Sequence, residues 1–380
     1  MFKLFSTPSL ALLLGTGLGM STPAAADSSE KPAFDYDAYT QSVEQTQERQ
    51  MAVFIARSET FHQLVSQSCK PGAQNLSQPM KDWNALPKLQ QAWLNTSEEW
   101  QRLQVFPLGP NTDVTVRLNL SFWPDKKNLV ERKARTLLSQ GEKADLKQGG
   151  IAMQGLTASE YLLFDPNHLK KSSPQQSCNL LSQVAAQSEA NARAMLTRWN
   201  ESDFLVEWHD ASLGNDTFAS TTQAAGYLIA GLAEQLEALT KYKLEKPFRL
   251  NDEKARANGY LAENWRSNQS LTNLATNFAQ IRAYYLGLPA GDTGKTINGP
   301  DQLLRHQGFA GEADQILAHL NQSQSTLDTL VNMGSAVYLS AEGKALAEQL
   351  HQEIKQLERA LKKPLPHFQL TQRFNSADGD

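Results

Sequence analysis

The chain has 380 residues, 40% of them hydrophobic and 20% charged, and a formal net charge of −4. This length allows one large domain or two medium ones around a substantial core. The slight acidity gives no electrostatic footing for nucleic acid, and the composition fits neither a disordered tail nor a membrane channel.

Residues 1–26 have the layout of a secretory signal peptide. Lys3 supplies the positive start, Leu10 to Met20 the apolar stretch, and Pro23-Ala24-Ala25-Ala26 the small-residue cleavage pattern. The apolar run is too short to span a bilayer, and no later stretch approaches that length. Cleavage near Ala26 is expected, and no cysteine lies beside it to carry a lipid. The mature chain is therefore expected to be a soluble protein of the periplasm or cell envelope.

From there on, helical periodicity dominates. Phe54, Phe61 and Val65 share one helical face, as do Trp83, Leu86, Trp93, Trp100 and Leu103. Leu228, Ile229, Leu232, Leu236 and Leu239 form a later stripe, and Leu346, Leu350, Ile354, Leu357 and Leu361 another. Stripes of this kind must be buried against one another, so the expected fold class is all-α, as two helical bundles without significant sheet. Turn residues at Pro71-Gly72, Pro107 to Pro110, Pro124-Asp125, Asp165-Pro166 and Pro289 to Gly294 mark the breaks. The stretch from Ser202 to Asp216 is the expected boundary between bundles over 35–201 and 216–363, with a loose tail over 364–380. Cys69 and Cys178 are the two cysteines, and in an oxidising compartment they are expected to form a disulfide.

Three segments carry residues with chemical potential. In the first, Arg117 precedes Phe122-Trp123-Pro124-Asp125-Lys126-Lys127-Asn128, which sets charged groups beside an aromatic wall. The alternative is a helix start capped by Asp125 with solvated lysines. In the second, Gln154 to Phe164, Gly155 permits close backbone approach and Glu160 sits within an apolar run. A buried carboxylate must be paired, metal-bound or protonated. In the third, Glu263-Asn264-Trp265-Arg266-Ser267, Arg266 is a natural bidentate partner for a carboxylate such as Glu160.

These blocks, in this order, resemble the imelysin-like proteins of bacterial envelopes over most of the mature chain. The resemblance implies a two-domain helical architecture with a site between the domains, export, and a link to iron uptake. Some members carry a Gly-x-His-x-x-Glu motif and were described as metallopeptidases. Here Thr157 stands at the histidine position between Gly155 and Glu160. A neutral hydroxyl is a poor zinc ligand, and a hydrolytic site needs about three protein ligands and an open position. The Glu59/His62 and Glu348/His351 pairs have the spacing of di-iron ligands, but they lie near opposite ends of the chain. No nucleophile elbow and no phosphate-cradling glycine loop occurs.

The expected function is a non-catalytic binding component in iron, haem or metal acquisition, working with a small ligand or metal chelate and with envelope iron-uptake proteins. Its cleft would be lined by Arg117, Trp123, Asp125, Lys126, Gly155, Thr157, Glu160, Glu263, Arg266 and Ser267. Glu160 would be the residue to touch a metal, and iron, haem or another metal ion the implied cofactor. One alternative is a metal-dependent peptidase with a degenerate Gly-x-Thr-x-x-Glu motif, in which Asp113, Asp125 and Glu263 converge on Glu160. The other is an envelope interaction protein without a small ligand, which would show an exposed apolar patch on one bundle.

Overall fold

In the computed structural model, residues 34–70, 72, 76–252, 254–289 and 296–370 are described, so the expected signal peptide lies outside the described residues. The chain from Phe34 onward is overwhelmingly helical. Asp35 accepts from the Ala38 N–H and starts α1 (Tyr36–Ser68). The tryptophan stripe then builds α2 (Leu86–Leu103), whose Trp93 and Trp100 are buried. Next come α3 (Val114–Leu120), α4 (Leu129–Leu138), α5 (Leu156–Phe164) and α6 (Pro166–Lys171). Pro166 takes the first position of α6, where a missing N–H costs nothing, and Asp165 accepts from the N–H groups of Asn167 and His168. A capping box at Ser173 and Gln176 opens α7 (Pro174–Asn200).

The helices α1, α2 and α7 pack together, with α5 laid across α2 and α7. A bond from Cys69 to Cys178, with Cα atoms 5.3 Å apart, ties the end of α1 to the start of α7. The expected disulfide is thus present. The stretch Ser202–Asp216, expected from sequence as the boundary between bundles, holds α8 (Asp203–His209) and a 3₁₀ turn over Asp210–Ser212. Trp208 stacks on Phe204 there and is buried, and that aromatic packing orders the stretch.

Beyond it, α9 (Thr221–Ala238) runs without a break into a π-helix (Leu239–Glu245) and then α10 (Lys246–Phe248). Then follow α11 (Ser270–Leu286), α12 (Pro300–His306), α13 (Ala310–Asn332) and α14 (Ala341–Lys362). The last of these packs on α13 and α9, while α11 touches both α2 and α13. Among the described residues, sheet is confined to the antiparallel pair β1 (Gly287–Pro289) and β2 (Thr296–Asn298). The all-α expectation holds.

One expectation is corrected at the C-terminus. The tail is not loose from Pro364: Leu365–Phe368 forms a 3₁₀ turn with Leu365 and Phe368 buried. A Cβ at Gly226 of α9 would lie 2.5 Å from Phe368, so the ring seats where α9 has no side chain. Residues 371–380 lie outside the described residues.

Candidate functional site

Helix α5 is the frame. Every residue from Leu156 to Leu163 is buried, so this short helix has no solvent-facing side to receive Glu160. The indole N–H of Trp93 donates to the Leu156 carbonyl at 3.0 Å and fixes the entry to the helix. Gly155 is required one residue earlier, because a Cβ there would lie 2.2 Å from the Leu120 carbonyl oxygen at the end of α3. That close approach brings Ser121 to Thr157, whose hydroxyls are 3.2 Å apart.

Glu160 is fully buried, and its partners come from more than a hundred residues away. The segment after the turn at Gly259–Leu261 folds around it with Asn264 at φ 50° and Asn268 at φ 59°. Asparagine tolerates this left-handed conformation better than most residues. The reversal aims several donors at one carboxylate. Asn264 Nδ2 donates to Oε2 at 3.0 Å; the Ser267 N–H and hydroxyl donate to Oε1 at 2.9 and 2.8 Å. Asn264 is itself oriented, its Oδ1 accepting from Asn273 at 2.8 Å. Burial pushes the Glu160 carboxyl above its ordinary range, against the Asn264 and Ser267 bonds and the nearby Arg266 charge, which pull it down.

Arg266 is not the bonded partner of Glu160, contrary to the sequence expectation. Its Nε donates to Asp165 Oδ2 at 3.0 Å, and one terminal nitrogen reaches Glu131 at 3.5 Å. The guanidinium lies 4.4 Å from the centre of the Trp265 ring and 5.3 Å from that of Tyr161. Ser267, next along the chain, points into the Glu160 pocket instead, so neighbouring residues serve two different acids.

Glu263 belongs to a second centre. It is buried and accepts from Lys243 Nζ at 2.6 Å; Lys243 also donates to Gln101 Oε1 at 3.0 Å and to Asn277 Oδ1. Half-buried Arg117 faces Glu263 and Tyr242. Burial holds both cations below their usual pKa, against the pull of Glu263. Trp123, after α3, stands edge-on to Tyr242 with ring centres 6.1 Å apart, and Lys243 Nζ lies 6.0 Å from the Trp123 ring centre. Lys246 Nζ sits 3.9 Å over Tyr242. Asp125 caps α4, accepting from the N–H groups of Leu129 and Val130 at 2.7 and 2.9 Å, while Lys126 is exposed.

Of the residues singled out from sequence, then, Gly155, Thr157, Glu160 and Ser267 meet around α5. Arg117, Trp123 and Glu263 meet at the π-helix. Asp125 does the capping work of its alternative reading. Sequence reasoning missed Tyr242, Lys243 and Lys246. A signal existed: Lys243 falls four residues after Leu239 and so continues the apolar stripe Leu232, Leu236, Leu239. A lysine on the buried side of a helix asks for a carboxylate.

A metal ligated directly by Glu160 does not fit this arrangement. Both oxygens already accept from N–H or O–H donors, and those donors would point at a cation. The acids required by the peptidase alternative go elsewhere. Asp113 caps α3 through the Thr115 N–H, Asp125 caps α4, and Glu263 pairs with Lys243. The histidines with di-iron spacing have other partners: His62 bonds Glu189 at 2.8 Å and His351 bonds Glu245 at 2.8 Å. Among the described residues, no three His, Cys, Asp or Glu side chains are grouped to hold a metal ion.

Comparison with known proteins agrees with the architecture. The family model of imelysin, peptidase M75, matches residues 35–377. An imelysin-like protein from Psychrobacter arcticum 273-4 superposes with a TM-score of 0.68 at 16% identity, covering 90% of this chain and 99% of the other. A protein from Parabacteroides distasonis ATCC 8503, provisionally named iron-regulated protein A precursor, superposes with a TM-score of 0.64 at 15% identity. It covers 89% of this chain and 97% of its own. No curated protein matches the sequence. At these identities the structural likeness speaks for the fold, and the family match speaks for descent: the chain belongs to the imelysin family.

Proposed function

We propose that this is an exported, non-catalytic binding protein of the bacterial envelope that serves iron or metal acquisition. The observation that carries the reading is the convergence of three distant sequence blocks into a frame of two prebuilt polar centres, one around α5 and one at the π-helix. Glu160 is bonded by Asn264 and Ser267, Asp165 by Arg266, and Glu263 by Lys243. With each of these acids engaged, Trp123 stays half-buried and Lys126 exposed beside the frame. An aromatic wall with cations suits a chelated or organic form of a metal better than a bare cation, which would meet like charge. In this reading Gly155, Thr157, Glu160, Glu263, Arg266 and Ser267 hold the frame, between the two bundles expected from sequence. Arg117, Trp123 and Lys126 face the ligand. The name of the Parabacteroides distasonis structure supports the iron link.

The test is the metal and haem content of the protein purified from its envelope fraction, followed by titration with haem, ferric citrate and zinc. Near-stoichiometric uptake of an iron compound, lost in Trp123→Ala but retained in Lys143→Gln at an exposed lysine outside the frame, is expected. A protein that stays empty with all three ligands overturns the reading. Peptide cleavage that depends on added zinc would restore the peptidase alternative.

A further inference from the structure

The π-helix Leu239–Glu245 interrupts the end of α9, and π segments are rare and often found at functional sites. Here it presents Lys243 inward and Tyr242 beside Trp123. Around these two rings the cations Arg117, Lys126, Lys243 and Lys246 outnumber the acids Glu263, Glu245 and Asp125. Lys243 and Arg117 share the single carboxylate of Glu263, which Lys243 already holds at 2.6 Å. Lys246 lies over Tyr242, and Lys126 comes from the segment that carries Trp123. The nearest acid along the helix, Glu245, is bonded to His351 at 2.8 Å. Asp125, the acid beside Lys126, is bonded to the backbone of α4.

Gathering cations costs energy unless something negative accompanies them. Burial, and then the ammonium groups of Lys126 and Lys241, hold Lys246 below its usual pKa against the pull of Glu245. The excess is also spread out. Lys246 stands over one ring, and Lys243 is 6.0 Å from the centre of the other. A lone inorganic anion prefers donors converging on one point, as at a helix N-terminus. Cations distributed about two ring faces suit several anionic groups carried on one organic body, whose CH₂ groups can lie against the rings.

We propose that Arg117, Lys126 and Lys246, with the Trp123 and Tyr242 rings, bind a small organic polycarboxylate, free or wrapped around a metal ion. This rests on the binding-protein reading and names the ligand chemistry of that same site. Lys243 and Glu263 are positioning residues beneath it.

The experiment is calorimetric titration of the mature protein with citrate, ferric citrate and inorganic phosphate at low and high salt. It uses wild type, Lys126→Gln, Lys246→Gln and Glu160→Gln. Lys143→Gln, an exposed lysine of the loop before α5, is the charge control. Citrate should bind more tightly than phosphate and weaken with salt. Lys246→Gln should lower its affinity about tenfold and Lys126→Gln severalfold, as expected for lost charge-assisted contacts. Lys143→Gln should have no effect. Preference for ferric citrate over citrate would identify the chelate as the ligand, and equal binding the free acid; both support the site. Circular dichroism and Tm confirm that each variant folds. No citrate or ferric citrate binding, or equal weakening by Lys143→Gln, overturns the proposal. If haem or zinc binds and is lost in Glu160→Gln but not in Lys246→Gln, the binding-protein reading survives and the polycarboxylate site falls. If citrate binds as described but no iron compound does, the site stands and the iron reading falls.

Discussion

Two buried acids in this protein are kept in opposite ways. Glu160, on α5, receives bonds only from neutral groups, the Asn264 amide and the Ser267 N–H and hydroxyl. Glu263, three residues before Arg266, receives the ammonium of a buried lysine at 2.6 Å. Neutral donors stabilise a carboxylate without adding charge; at Glu160 burial outweighs them and holds the carboxyl above its ordinary range. A lysine neutralises its partner outright but must itself be desolvated. Together with Arg117 it tips the neighbourhood positive. The first arrangement makes a latch that joins α5 to the segment before α11. The second ties the π-helix to the segment before α11 through a buried ion pair.

The comparison is broken most forcefully at the ion pair. Lys243→Met should leave Glu263 buried without its bonded ammonium and facing only Arg117, a loss of about 3–5 kcal/mol in denaturant unfolding. Adding Glu263→Gln should recover part of that loss, because the stranded charge is then gone. Equal losses in the single and double variants would mean that packing, and not charge, is what Lys243 supplies.

At the latch, Glu160→Gln should cost less, about 1–3 kcal/mol, since the new amide nitrogen sets a donor against one of the existing donors. The pH dependence sharpens this. A carboxyl whose pKa is raised on folding contributes stability that is fully present below its unfolded pKa. That contribution is lost as pH rises through the folded value. The advantage of wild type over Glu160→Gln should therefore be largest in acid and shrink toward neutral pH, read from urea midpoints. An advantage that grows with pH would show that the carboxylate is bound as an anion.

Smaller effects test single strands of the latch. Ser267→Ala removes the hydroxyl donor and keeps the N–H, for a cost of about 1 kcal/mol. Thr157→Val removes only the 3.2 Å contact with Ser121 and should fall below about 1 kcal/mol in thermal unfolding. A larger loss there would place Thr157 in the working part of the site.

The candidate site was legible in pieces. Glu160 was visible as a carboxylate inside the apolar run Tyr161 to Phe164, and Gly155 as a point of close approach. Which donors reach Glu160 was not visible. Arg266 and Ser267 are adjacent, yet the fold turns one to Asp165 and the other to Glu160. Lys243 was legible in principle, as a charge on an apolar stripe, but its carboxylate stands twenty residues on, across a turn.

By itself the sequence determined the helical class, the faces that must be buried and the cysteines available to be joined. Periodicity, turn residues and redox chemistry are local or compositional, so each can be read along the chain. The tertiary structure alone decided the pairing of charges and the order of the Ser202–Asp216 stretch. It also decided the meeting of Trp123 with Tyr242. Those depend on which helix faces come together across more than a hundred residues, and on left-handed turns at Asn264 and Asn268 that no helical spacing encodes.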